Sequence, residues 1–219
     1  MEIEAKFVLP DRKVLGHLAA AGELAGYVLG EAREQRYHDQ FLDTVDRRLL
    51  AAGWYLRLRT ADASRSLTLK GRTSLEGAVH RRQEWKVRLP EGRDPAQPPP
   101  GELQDRLTEL TGGEPLTCLV ALWQVRLFRT LTRDGRIVAE LSLDRVCYRR
   151  DRAATEDLEL EVELSKDGTM ADLDRLVRCL RDEWHLVPQT KSKFERAMAL
   201  TGTRAKKRAR PAGVSGRAQ

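Results

Sequence analysis

The sequence predicts an α+β fold: an eight-stranded antiparallel β-barrel enclosing a tunnel, with helices packed outside. Three observations predict it. Eight segments read as strands, most of them alternating apolar and polar residues with the period of a strand. Stretches with a helical apolar stripe lie between them, and the pair Asp134-Gly135 marks a tight hairpin between two of the longest. Eight mostly antiparallel strands lose their exposed edges when the sheet closes on itself.

In chain order the strands fall at about 1–9, 35–43, 54–60, 65–71, 80–89, 123–133, 136–147 and 157–165. Alternation is plain in EIEAKF, LRLRT, RRQEWKVRL and LELEVEL. The first helix, over 11–24, takes Asp11 as its N-cap. ELQDRLTELTG (102–112) follows a proline-rich linker, DPAQPPPG (94–101). TMADLDRLVRCLRDEW (169–184) has apolar residues at helical spacing, and a short last helix near 193–201 starts after Ser192. The linker divides the chain into two strand-rich halves. Neither has enough apolar strand face for its own core, so residues 1–202 read as one domain.

The 219 residues suffice for a full core. The net charge of +6 equals the contribution of Arg204, Lys206, Lys207, Arg208, Arg210 and Arg217, which lie in a stretch without acids. Residues 203–219 are therefore expected to be a basic, disordered tail, and nucleic acid or an acidic partner is expected only through it. Cys118, Cys147 and Cys179 are far apart, against a disulfide framework or zinc site and in keeping with a reducing compartment. No apolar run reaches the roughly 18–20 residues of a membrane span, and no signal-peptide core opens the chain. The expectation is a cytoplasmic protein, monomer or homodimer, with no membrane partner.

Charges share strand faces, because residues two apart point the same way. Glu2, Glu4 and Lys6 do so; so do Arg57 and Arg59, then Thr68 and Lys70, then Arg82, Glu84, Lys86 and Arg88, then Glu159, Glu161 and Glu163. A two-residue turn at Asp134-Gly135 would set Arg129 opposite Glu140, with Asp144 further along that face. A solvated polar face is the ordinary explanation for one such strand. Here, helices with apolar stripes are available to cover the outside, which turns the charged faces inward. Three aligned glutamates also repel one another unless cations stand nearby. A bore lined by Arg and Lys on one side and carboxylates on another suits a phosphate chain and a hard divalent ion. No Walker-type loop is present, so any phosphate site is built from side chains.

The stretches EIEAK, RYHDQFLDTVDRRLLAAGWYLRLR, LTLKG, RRQEWK, VAELSLDRV, LELEVELSKDG and KSKFERA, in that order, resemble the CYTH domain of the triphosphate tunnel metalloenzymes over about residues 1–200. The resemblance implies an eight-stranded tunnel that binds triphosphate and a divalent metal, Mg²⁺ or Mn²⁺. It implies metal ligation by Glu2, Glu4, Glu161 and Glu163. Phosphate-binding or supporting roles follow for Lys6, Arg57, Arg59, Lys70, Glu84, Asp144 and Arg129, with Arg126 a rival if a bulge swaps their faces. Lys191 or Lys193 resembles the late lysine. The reaction implied is hydrolysis of inorganic triphosphate, or of a nucleoside or thiamine triphosphate. A cyclase of the class IV type and a non-catalytic polyphosphate-binding module are the alternatives. So many carboxylates beside an anion favour catalysis over binding alone.

Overall fold

The computed structural model describes residues 1–62, 64–150 and 153–208. Its long strands are β1 (Glu2–Val8), β4 (Arg33–Asp43), β5 (Tyr55–Ala61), β6 (Ser64–Lys70), β8 (Val79–Arg82), β9 (Glu84–Arg88), β10 (Thr117–Arg133), β11 (Arg136–Arg150) and β12 (Ala153–Leu164). Of the short strands, β7 (Ser74–Glu76) pairs with β8, β13 (Val187–Pro188) with β1, and β3 (Tyr27–Leu29) with β10 and with β2 (Glu23–Leu24). The helices are α1 (Arg12–Ala20), α2 (Arg48–Ala51), α3 (Glu102–Thr111), α4 (Met170–Asp182) and α5 (Lys193–Arg208).

The strands hydrogen-bond in the order β7-β8-β1-β12-β11-β10-β4-β5-β6-β9. The two ends of this ladder are not bonded to each other. The chain itself carries the wall across the seam, because β8 and β9 are consecutive and separated only by Gln83. The expected strand over 80–89 is thus bent in two: its first half pairs with β1 and its second with β6. Counted as one stave, it completes a ring of eight in which β12 and β5 stand four places apart in either direction.

Apolar residues of each strand face outward onto helices. Ala5, Phe7, Leu141, Leu143, Leu160 and Val162 pack with Leu18 of α1 and with Leu173, Leu176 and Leu180 of α4. Leu56, Leu58, Leu67 and Leu69 pack on the other side with Leu49 of α2 and with Leu103 and Leu107 of α3. Each fully buried leucine contributes about 1.5–3 kcal/mol, so these two cores hold the charged faces inward. The caps are as expected: Asp11 Oδ1 accepts from the Lys13 and Val14 amides, and Ser192 and Glu195 bond reciprocally at the start of α5. The first helix stops at Ala20, short of the expected 24, because the backbone turns extended at Ala21 (φ −62°, ψ 136°) and Glu23–Leu24 form β2. Helix α5 runs to Arg208 and not 201. Residues 209–219 of the expected tail lie outside the described residues.

Asp134 and Gly135 form the hairpin turn with φ of 51° and 74°, the positive values its tight geometry requires. A bulge then shifts the β10–β11 register between Leu131 and Thr132. Arg129 consequently pairs with Leu141 rather than Glu140, and Arg126 pairs with Asp144. One extra residue exchanges the two faces of the strand.

Candidate active site

A cavity of about 290 Å³ fills the bore, with Glu2, Glu4, Lys6, Arg57, Arg59, Lys70, Glu84, Glu161, Glu163 and Lys193 all on its lining. Ten sequence-expected residues therefore meet in one space. Asp144 stands just behind the lining, fully buried against Arg126 and Lys193. Two expected residues are not brought there. Arg129 lies on the outer face, donating to the carbonyls of Ala19, Ala21, Leu29 and Gly30 and tying α1 and β3 to β10. Lys191 is exposed, and its backbone carbonyl accepts from Arg196. The bulge accounts for the first. Lys193, two residues on, takes the inward position at the start of α5.

Ion pairs order the bore into levels. At the inner level Lys193 Nζ sits 2.8 Å from Asp144, 2.6 Å from Glu159 and 2.7 Å from Glu161. Arg126 forks onto Asp144 and also reaches Glu161, while Arg196 Nη2 meets Glu159 at 2.6 Å. Oxygens of Asp144, Glu159 and Glu161 lie within 4.8 Å of one another, a spacing that could hold a metal. The lysine ammonium already fills that role. Burial pushes the Lys193 pKa down, but these three carboxylates outweigh it and hold the ammonium charged. Likewise burial raises Glu161, and Lys193, Lys6 and Arg126 bring it well below the ordinary range.

Above this level, Glu2 contacts Lys70 at 2.7 Å and the Arg82 guanidinium, which also donates to Glu4 at 2.7 Å and to the Tyr55 hydroxyl at 2.6 Å. Lys6 Nζ bridges Glu4 and Glu161. Burial pushes Glu2 up, yet Lys70 and Arg82 hold it low; the Tyr55 phenol, buried, is pushed up to about 12.

The third level is unbalanced. Glu163 is the direct cross-strand partner of Glu4 on one side and of Glu140 on the other. All three line the cavity, and among the described residues Glu163 joins no ion pair. Its carboxyl is pushed up to about 7, by crowding away from solvent and then by Glu2 and Glu4, although its side chain reaches solvent at the mouth. Like charges set directly opposite destabilise a sheet. Relief requires a proton or an added cation, and oxygen donors of this kind fit Mg²⁺ or Mn²⁺.

Across the ring, β5 presents Arg57 and Arg59. Asp39 grips Arg59 through two bonds of 2.7 Å and stands 3.8 Å from Arg57. Arg57 Nε is buried without a hydrogen-bond partner, as are Thr68 Oγ1 and both polar atoms of Gln124. Lys86 lines the cavity and, among the described residues, joins no ion pair. Of Arg57, Thr68 and Gln124 only Arg57 lines the cavity, and a buried donor left without a partner is costly, so the Arg57 side of the bore suits a polar guest.

Asp39 is not among the residues expected from the sequence, and Arg82 and Glu140 enter that expectation only as members of charged strand faces, without a role in the site. Arg82 had a signal, since it shares parity with Glu84. Asp39 shares parity with Phe41, and Glu140 with Asp144, but neither position stands out without the register. Helix α5 closes one end of the bore: Phe194 stacks on Tyr55 at 5.1 Å and packs on Phe41 at 5.0 Å.

These features can be set beside known proteins. HpAC1 from Hippeastrum, an adenylyl cyclase candidate described as having a dominant triphosphatase activity, matches with TM-score 0.68 and 21% identity, over 91% of this chain and 96% of that one. A candidate adenylate cyclase from Bacillus halodurans gives 0.59 and 20%, over 90% and 96%. A protein from Pyrococcus horikoshii OT3 gives 0.58 and 14%, over 91% and 99%. Among curated protein sequences none matches. At these identities the likeness is one of fold. A sequence model of the CYTH domain matches residues 1–198, nearly all of the described chain, and the chain belongs to the CYTH domain family, whose tunnel fold it adopts.

Proposed function

We propose that this protein is a divalent-metal-dependent phosphohydrolase that cleaves a phosphoanhydride bond of a triphosphate held in the bore. One observation carries the reading. The glutamate face of β12 and the arginine face of β5 stand diametrically opposed around a single cavity of about 290 Å³. That volume lies at the low end of the ~300–1,000 Å³ typical of small-molecule sites, and suits a phosphate chain.

Arg57, Arg59, Lys70 and Lys86 hold the phosphate oxygens. Asp39 fixes the plane of the Arg59 guanidinium, which leaves less to reorganise as charge spreads in the transition state. Lys6, Arg82, Arg126 and Lys193 pair with the inner acids and hold them in place. Glu4, Glu163 and Glu140, with Glu2 beside them, are the ligands for Mg²⁺ or Mn²⁺. Such an ion, when bound, neutralises phosphate charge and lowers the pKa of a bound water. HpAC1, which shares the fold, is described as a triphosphatase, and this supports the same chemistry here.

The test is a substrate panel. The protein is incubated with tripolyphosphate, ATP or thiamine triphosphate, with Mg²⁺ or Mn²⁺ or with EDTA, and assayed for phosphate and cyclic AMP. Metal-dependent phosphate release is expected. Cyclic AMP alone would assign a cyclase, and binding without turnover would assign a carrier.

A further inference from the structure

The lining of the bore is mostly charged, and of its aromatic residues Tyr37 lies under the Arg59 guanidinium while Phe41, Tyr55 and Phe194 pack together, which leaves Phe128. Its ring is half-buried on the inner face of β10 and lines the cavity. Among the described residues it stacks on no other ring, unlike Phe41, Tyr55 and Phe194 at the closed end. It lies six positions along β10 from Leu122, which packs in the cluster around α5. At about 3.3 Å per residue that is roughly 20 Å along the strand. Phe128 therefore belongs to the mouth, where exposed Glu163 and Lys86 line the same cavity. Arg33 is its direct cross-strand partner on β4 and so projects from the same face. Arg33 is exposed and, among the described residues, unpaired.

The closed end decides which way a substrate points. With Phe194 seated on Phe41 and Tyr55, and Lys193 bonded to three acids, no group attached to a phosphate chain can leave through α5. An organic substituent directed away from α5 points toward the end of the bore that carries Phe128 and Arg33. A flat aromatic group there meets an apolar face and a guanidinium plane, both of which stack on aromatic rings. Tripolyphosphate offers nothing for them to grip.

We propose that Phe128, with Arg33 beside it, is a specificity-determining residue that selects triphosphate esters of an aromatic-bearing alcohol, such as a nucleoside triphosphate, over inorganic tripolyphosphate. The inference rests on the triphosphatase reading for the phosphate end of the site. Base–aromatic stacking is worth about 1–3 kcal/mol, or roughly 5- to 150-fold in affinity.

The experiment measures, by calorimetry, the Kd of ATP and of tripolyphosphate for wild type, Phe128→Ala and Phe128→Trp, with Ca²⁺ present to slow turnover, and KM and kcat for both with Mg²⁺. Phe128→Ala is expected to weaken ATP at least fivefold in Kd and KM with kcat retained, to leave tripolyphosphate within twofold, and to be rescued by Phe128→Trp. Equal effects on the two ligands, or none on ATP, would overturn the proposal. ATP binding that depends on Phe128 without hydrolysis of either compound would sink the triphosphatase reading and keep this one. Absence of binding by both ligands would overturn both.

Discussion

Glu163 of β12 lies directly opposite Glu4 of β1, and Glu140 of β11 lies directly opposite Glu163 on its other side, so three carboxylates cross adjacent strands at one level. Nothing in the ion-pair network of the described residues neutralises the middle one. A divalent cation relieves that repulsion. Titration calorimetry with Mn²⁺ should therefore show binding to the wild type, and Glu163→Gln or Glu140→Gln should weaken it by about tenfold or more. Unchanged affinity in both variants would place the metal elsewhere.

The same crowding makes a prediction about pH. The Glu163 carboxyl is pushed from an ordinary value near 4.5 up to about 7. A raised folded-state pKa contributes stability that is present below the unfolded value and lost as pH rises through the folded one. In chelator, wild type should lose stability relative to Glu163→Gln between about pH 4.5 and 7, and the difference should level off above that. Urea melts at stepped pH measure it, and a difference that stays flat across the window would refute the assignment.

Lys193 is the cation for three buried acids. Removing one partner of a buried ion network typically costs ~3–5 kcal/mol, because the remaining charges stay desolvated. Lys193→Met should be destabilised by about that amount in denaturant unfolding. Adding Asp144→Asn should recover part of the loss. Additive losses in the double variant would show that the groups are not coupled.

Arg126 and Arg129 separate function from architecture. Arg129→Ala strips the donor from four carbonyls and should lower the melting temperature, with kcat/KM on tripolyphosphate close to wild type. Arg126→Ala leaves Asp144 and Glu161 short of a cation beside the substrate, and should cost about 100-fold or more in kcat/KM. Phosphate-release kinetics and thermal melts on the two purified variants check both halves.

Strand parity made most of the bore legible in the sequence. Glu2, Glu4 and Lys6, Arg57 and Arg59, and Glu161 and Glu163 each share a face by simple alternation, and the structure puts all of them on the cavity. Parity fails where the strand is irregular. The bulge at Leu131 exchanged Arg129 for Arg126, and no local residue announces it. The bend at Gln83 was hidden because Arg82 and Glu84 keep the same parity on either side of it. Glu140 and Asp39 depend on which strands become neighbours, and that is a property of the closed ring. Short elements such as β2, β3 and α2 carry too few residues to show a period. Asp43 reads locally as a turn former, and it is one: its carboxylate accepts from the amides of Thr44, Leu49 and Leu50.

The most direct measurement is the initial rate of phosphate release from tripolyphosphate with saturating Mg²⁺, for wild type, Glu4→Gln and Arg57→Ala, each verified as folded by circular dichroism. If opposed carboxylate and guanidinium walls perform the chemistry, wild type turns over and each variant falls by about 100-fold or more. A variant of either wall that hydrolyses tripolyphosphate at the wild-type rate would contradict the account.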